Sequence, residues 1–450
     1  MLAEARSKPN GADAWLGVAK SALQNGDPER CKVLLTSWLE QDPHNVAFNV
    51  LLSKALQQVG TPEALEKSVA AARSAVKAAA GGDVLPATVQ LAVALGARAR
   101  VHVRQQTERQ NDRAEAVQLL SVLLDSGAAV AAGAAPAALA GARYSLALLQ
   151  AEAGHAAAAM ASARAALQDA QAAAAGSSSS SAAAAGAPAV TALCLVLVSV
   201  LLSSRRQFKL AASVLTAAPT TAALSSPGAP ARPLWSDCLV LRLRSRLLAA
   251  QDDTPAAIAA LAQAKKALTG WATAAAGGAA AGGNVPAGWN LDKLNAELAK
   301  VWGELGVALA HAGQRPEALA AADHALALAP WSAASRTALG AVQEALGRAG
   351  AAEAAYNDAL ALDPTCAAAL LRQGSLHARR GSRPDLAVAR DLLAEALRYE
   401  PAEAAGWYGL GRVAAALGHG FEAEAHLLTA VQLAGAAPLL PYSELPLAPP

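Results

Sequence analysis

Between residues 299 and 435 the same few residue types return at an interval of about 34 positions, the length of one helix–turn–helix unit. With Trp302 as the fourth residue of a unit, Leu305 and Gly306 fall at positions 7 and 8, Ala318 at 20, Ala325 at 27 and Pro330 at 32. The next unit supplies Leu339, Gly340, Ala352, Tyr356, Ala359 and Pro364 at the matching places. A third gives Gly374, then Ala389, Leu393, Ala396 and Pro401 after a three-residue insertion around GSRPD, residues 381–385. The fourth gives Trp407, Leu410, Gly411, Ala423 and Ala430, with Gly435 where the proline would stand. Each place has a mechanical reason. A bulky residue at 4 fills the space between two helices, and small residues at 8, 20 and 27 let the helices approach. A proline at 32 cannot continue the helical hydrogen-bond ladder, so the second helix stops there.

This is the tetratricopeptide (TPR) pattern, and each such pair keeps one face unburied until another stacks on it, so units come in runs. The predicted fold is all-α: a TPR-type α-solenoid, a right-handed superhelix of antiparallel helix pairs. The N-terminus fits the same template, with Trp15, Ala19, Cys31 and Pro43 at positions 4, 8, 20 and 32, and a looser unit covers residues 46–80. A longer pair follows, then one with Leu146, Ala147, Ala159 and Ala166 in place, then two weaker pairs at 190–217 and 235–268. The template predicts roughly nine hairpins. The composition agrees, being 54% hydrophobic but only 4% aromatic. Alanine dominates, and it is the best helix former and a small core residue.

Three low-complexity stretches interrupt the array: 176–188 (GSSSSSAAAAGAP), 218–233 and 273–288. They lack periodicity and bulky apolar residues, so they are expected as flexible insertions. The expected organisation is a flexible N-terminus (1–11), N-terminal hairpins (12–173), an insertion (174–189) and degenerate hairpins (190–268) with a loop at 218–233. A linker (269–290), four regular repeats (291–437) and a Pro-rich tail (438–450) complete it.

With 37 Lys and Arg against 35 Asp and Glu, the chain has no general affinity for nucleic acid. Four scattered cysteines without a C-x-x-C pair suggest a reducing compartment and no zinc site. The first residues lack a signal peptide's apolar core. The most apolar run, AVTALCLVLVSVLL at 189–202, is shorter than the ~20 residues of a membrane span and reads as a buried helix. A cytoplasmic protein is expected, with no transmembrane segment.

GLGRVA contains a G-x-G-x-x-A (Gly409, Gly411, Ala414), the remote basis for a dinucleotide-binding enzyme. That fingerprint needs a strand running into a helix and an acidic residue about 20 positions on. Neither is present, and the repeat register makes Gly411 a helix-packing residue. No P-loop, G-x-S-x-G or H-E-x-x-H occurs, and His419 and His426 lack an acidic or cysteine cluster. No catalytic residue, cofactor or metal is predicted.

Partner binding has better support. In a TPR superhelix, positions 2, 5, 9, 12 and 13 line the concave groove, here including Lys20, Lys300, His311, Arg379, Tyr408 and Arg412. Arg242 and Arg246 lie four apart on one helix face. Cations with few acids would favour an acidic peptide, against the plainer reading of solvated side chains. Positions 5 and 9 of the regular units hold Gly303, Val307, Thr337, Ala341, Leu371, Ser375, Tyr408 and Arg412. The Lys/Asn/Arg clamp for chaperone tails is therefore absent. Two basic-apolar segments, 204–215 and the run through Arg242, Arg244 and Arg246, have the make-up of calmodulin targets.

The C-terminal third resembles the tetratricopeptide repeat protein 7 family and the No Pollen Germination proteins of plants. The phrases are LAKVWGELGVALAHAGQRPEALAAADHALALAPWSAASR and, further on, GSRPDLAVARDLL followed by WYGLG. LAVALGARARVHVRQQTERQNDRAEAVQLL resembles the family's long helix pair, and APLLPYSELP its closing Pro-x-x-Pro-aromatic, although Ser443 stands where a basic residue usually follows. The resemblance implies a non-catalytic scaffold that helps hold a type III alpha phosphatidylinositol 4-kinase at the plasma membrane beside hyccin-like subunits. For the plant relatives it implies calmodulin binding.

Overall fold

The computed structural model describes residues 11–101, 106–131, 133–176, 181–218, 235–276 and 291–448. Among them are 21 α-helices and no strand. The helices pair in sequence: α1 (Gly11–Gln24) with α2 (Pro28–Leu39), α3 (Val46–Val59) with α4 (Pro62–Ala78), and α5 (Val84–Ala99) with α6 (Gln106–Asp125). A single turn, α7 (Ala128–Ala131), precedes α8 (Pro136–Glu152) with α9 (Ala156–Gly176), then α10 (Ser181–Ser204) with α11 (Phe208–Thr216) and α12 (Trp235–Ala249) with α13 (Thr254–Ala276). The regular repeats are α14 (Leu291–His311) with α15 (Arg315–Leu328) and α16 (Ala333–Ala345) with α17 (Ala349–Leu362). They continue with α18 (Ala367–Arg380) and α19 (Arg383–Tyr399), then α20 (Ala404–Leu417) and α21 (Gly420–Ala436). That makes ten pairs, one for each unit named from the sequence, the looser stretch at 46–80 among them.

Local chemistry sets the boundaries. Asp27, Asn45, Thr61 and Ser382 each accept a backbone N–H of the first turn they precede, satisfying a donor no helical carbonyl reaches. Pro330, Pro364 and Pro401 each sit two residues past the end of α15, α17 and α19. The GSRPD insertion is absorbed without a loop. Gly381 caps α18 in the left-handed region (φ 73°), Ser382 caps α19, and α19 runs to 17 residues where α15 and α17 have 14.

The small-residue places are core. Ala318, Ala325, Ala352, Ala359, Ala389, Ala396, Ala423 and Ala430 are all buried, as are Trp15, Ala19 and Cys31. Gly340 is obligatory, since a Cβ there would lie 2.3 Å from the Tyr356 ring. From Ala192 to Leu202 the apolar run is buried too, in the largest core cluster, which spans α4 to α12 and contains Leu193, Leu197 and Leu201. No helix among the described residues is long and apolar enough to cross a membrane.

Two expectations need correction. Part of the 176–188 insertion is helical, because α10 begins at Ser181, and alanine supports a helix even where it buries little. Of the 269–290 linker, residues 269–276 belong to α13. The expected N-terminus at 1–10, most of the 218–233 loop and the rest of the linker lie outside the described residues. The Pro-rich tail packs into the core. Its leucines Leu440, Leu445 and Leu447 are buried, and they belong to the same core cluster as Tyr144, Leu149 and Leu195.

Candidate functional site

The first helices of four successive pairs, α12, α14, α16 and α18, line a cavity of about 900 Å³. Its walls owe their openness to small residues at the repeat's groove positions, among them Gly303, Val307, Thr337 and Ala341. Arg242, Arg246, Lys300 and His311 lie on it, as does Glu444 from the tail. A smaller cleft of about 260 Å³ between α16, α17 and α18 carries Arg379 and Arg380 opposite Glu344.

At one end of the large cavity sits a buried ionic node. The Arg242 side chain is only 3% exposed, and its guanidinium lies 2.6 Å from Glu304 and 2.6 Å from Glu444. Arg246 approaches Glu304 at 2.6 Å and Glu444 at 3.4 Å. Burial alone would raise the Glu304 carboxyl, but Arg242 and Arg246 outweigh it and hold it down at about 2. Burial likewise works against the Arg242 charge, and Glu304 and Glu444 overcome it. Cys238, one turn earlier on α12, is pushed up to about 12 by burial and is an inert thiol.

From this node the tail runs along the inner face. The chain turns back where Arg206, between α10 and α11, donates to the Ala434 carbonyl at 2.5 Å. The Leu439 amide then donates to Ser203 Oγ at 3.2 Å, and its carbonyl accepts from Arg246 at 2.8 Å. Arg100, at the end of α5, donates to the carbonyls of Tyr442 (3.2 Å) and Leu445 (3.0 Å). The hydroxyl of Tyr144 donates to the Pro446 carbonyl at 3.0 Å. Leu447 ends against Gly96, where an added Cβ would stand 3.2 Å from its Cδ2 and 2.8 Å from Leu149.

The structure therefore gathers Arg242, Arg246, Lys300 and His311 onto one surface and leaves Arg379, Tyr408 and Arg412 off it. Tyr408 is exposed with the Arg412 guanidinium 6.0 Å from its ring centroid. Lys20 lies far along the chain on exposed α1 surface. Several of the expected groove cations are paired with acids. Lys300 pairs with Glu297 at 2.6 Å, Arg379 with Glu344 at 2.6 Å, and the two arginines of α12 with Glu304 and Glu444. Glu297, Glu304 and Glu444 lie outside the groove positions, so a count of those positions alone overlooks them, whereas Glu344 stands at position 12. The same template could have found Tyr144, which is at position 5 of its unit. Arg100, Ser203 and Glu444 carry no comparable signal.

The calmodulin-target reading fares poorly in geometry. Residues 204–215 do not form one helix: α10 ends at Ser204, Arg206 adopts φ 59°, and α11 starts at Phe208. Arg242 lies inside the ionic node. All three glycines of α20, two of them in GLGRVA, are contacts between helices. An added Cβ would lie 2.8 Å from Leu397 at Gly406, 2.8 Å from Leu393 at Gly409 and 2.7 Å from Leu427 at Gly411. Trp407 donates to the Pro401 carbonyl at 2.8 Å and packs on His426. Among the described residues no group of three metal-ligating side chains occurs.

Ten stacked helix pairs around a small-residue inner groove define the class, a TPR-type α-solenoid. The crystal structure of Ypp1 shares the fold over most of the chain. It matches 93% of this chain and 57% of its own at 12% identity, with a TM-score of 0.54. This chain thus spans little more than half the length of Ypp1. Crystal structures of MamA match 41% to 44% of this chain at 17% to 18% identity with a TM-score of 0.27. No protein-family model and no curated protein sequence matches it.

Proposed function

We propose that the chain is a non-enzymatic scaffold that joins other proteins through the surfaces of its solenoid. The observation that carries this is the inner groove: a cavity of about 900 Å³ walled by small side chains from four successive pairs. A pre-formed concave surface of that kind takes a helix or an extended segment. Its charged groups face one another as ion pairs, not as a nucleophile beside a base.

The finer reading is a subunit of a phosphatidylinositol 4-kinase assembly at the plasma membrane, with the lipid kinase and hyccin-like proteins as partners. Its support is the resemblance of residues 298–336 and 381–411 to the tetratricopeptide repeat protein 7 family. The fold shared with Ypp1 is compatible with it. Affinity purification of the tagged chain after mild cross-linking, read by mass spectrometry, tests both levels. The finer reading predicts a phosphatidylinositol 4-kinase and a hyccin-like subunit in the eluate. Other proteins in stoichiometric amounts would remove the kinase assignment, and no retained protein at all would contradict the scaffold.

A further inference from the structure

The tail is held as a bound peptide is held. Four of its backbone carbonyls, at residues 439, 442, 445 and 446, accept from solenoid side chains. Three leucines are buried beside them, and one carboxylate, Glu444, meets two arginines. Main-chain hydrogen bonds with pockets for alternate side chains are the usual grammar of extended-peptide recognition.

The donors do not depend on the tail for their placement. Arg100 is fixed by Glu152 through Nε at 2.8 Å and Nη2 at 2.5 Å. Arg246 is fixed by Glu304 at 2.6 Å, and Ser203 by the Val200 carbonyl at 2.7 Å. A site whose donors are already in place loses little ordering entropy when its ligand arrives. With the tail gone, Arg242 and Arg246 would face Glu304 as their only close carboxylate, with Glu297 at 4.0 Å from Arg242, a locally positive node in a low-dielectric setting. Glu444 also lines the large cavity, so the tail site and the rest of the groove are continuous.

We infer that the inner groove is a binding site for an extended Leu- and Pro-rich segment carrying one carboxylate. The chain's own residues 438–448 occupy it in cis, and a partner segment of the same chemistry exchanges with them. The inference builds on the scaffold reading but is independent of which complex the scaffold joins.

The test uses full-length chain and a fluorescein-labelled peptide of residues 436–450 (AAPLLPYSELPLAPP), read by fluorescence anisotropy. Leu445→Asp with Leu447→Asp should expel the resident tail, and this variant should bind the peptide at least about 10-fold more tightly than the unaltered chain. A peptide carrying Glu444→Arg should lose at least about 10-fold on that variant. Adding Arg246→Glu to the chain should restore part of the loss. Glu444→Gln in the full-length chain keeps every leucine. It should raise peptide affinity about 3-fold and so provides the answer should the double variant not fold. Equal binding by unaltered and released chains, or none by a released chain of unchanged helicity, overturns the inference. Neither of these results bears on whether proteins co-purify with the scaffold, so the two readings fail separately.

Discussion

The regular repeats from α14 to α21 and the block from α4 to α12 share one architecture but are held together differently. In the regular repeats the tightest contacts are made by alanines and glycines at fixed places, and the partners of those glycines lie within the same or the adjacent pair. Gly340 meets Tyr356, Gly374 meets Leu393, and Gly411 meets Leu427. In the earlier block the core adds runs of leucine and valine and the ring of Tyr144 to its alanines, and it is completed by Leu440, Leu445 and Leu447 from the tail. Contacts from Arg100 and Tyr144 to the tail span more than 300 positions in sequence. One region closes on itself as it is synthesised. The other is finished only when the last residues arrive.

The contrast can be broken most strongly at Tyr144. It is fully buried, and Tyr144→Ala should cost about 3–5 kcal/mol, measured by denaturant unfolding. Tyr144→Phe, which removes only the bond to Pro446, should cost about 0.5–1.5 kcal/mol. Equal losses for the two would mean that the ring is not core.

Glu304→Gln comes next, at about 3 kcal/mol, because it leaves two arginines short of a buried counter-charge. The same residue sets a pH dependence. Its carboxyl ionises near 4.5 when unperturbed and at about 2 in the fold. The stability it adds is complete above about pH 4.5 and is lost as pH falls toward 2. Unfolding free energies across that window should slope less steeply in Glu304→Gln than in the unaltered chain; parallel slopes would contradict the node.

In the regular repeats the expected failure is overpacking. Gly340→Val drives a side chain into the Tyr356 ring and should cost about 1–3 kcal/mol by the same measurement. Gly350→Val, where nothing stands within 4 Å of an added Cβ, is the matched control and should remain within about 1 kcal/mol of the parent. The smallest effect is chemical. Burial raises Cys31 to about 11 and Cys194 to about 12, while Cys366 is only half-buried. A thiol reagent should therefore modify one cysteine per native chain, Cys366, identified by peptide mapping. Fast labelling of Cys194 would show that the middle block is open.

The regular repeats were legible because their determinants are local. Position 8 glycines, position 20 and 27 alanines and the closing prolines each act within one pair, so a one-dimensional register captures them. The same register dismissed GLGRVA as a phosphate loop, and the packing of Gly409 and Gly411 gives the steric reason. The candidate site was legible only in part. Arg242, Arg246, Lys300 and His311 do share a surface, but Glu304 is at a position the template ignores, and Glu444 comes from a tail with no helical period. Leucine and proline in APLLPYSELPL look the same in sequence whether solvated or buried. Only the path of the chain through the superhelix decides between the two.

The central claim is that the C-terminal tail lies inside the solenoid, against α5, α8, α10 and α12. Replacing Tyr442 with the photo-cross-linker benzoylphenylalanine tests it directly, since this half-buried ring lies beside Ser204 and its carbonyl accepts from Arg100. Irradiation of the full-length chain, followed by peptide mass spectrometry, should give intrachain adducts to the ends of α5 and α10. Adducts confined to α20 and α21, or none within the chain, would contradict the account.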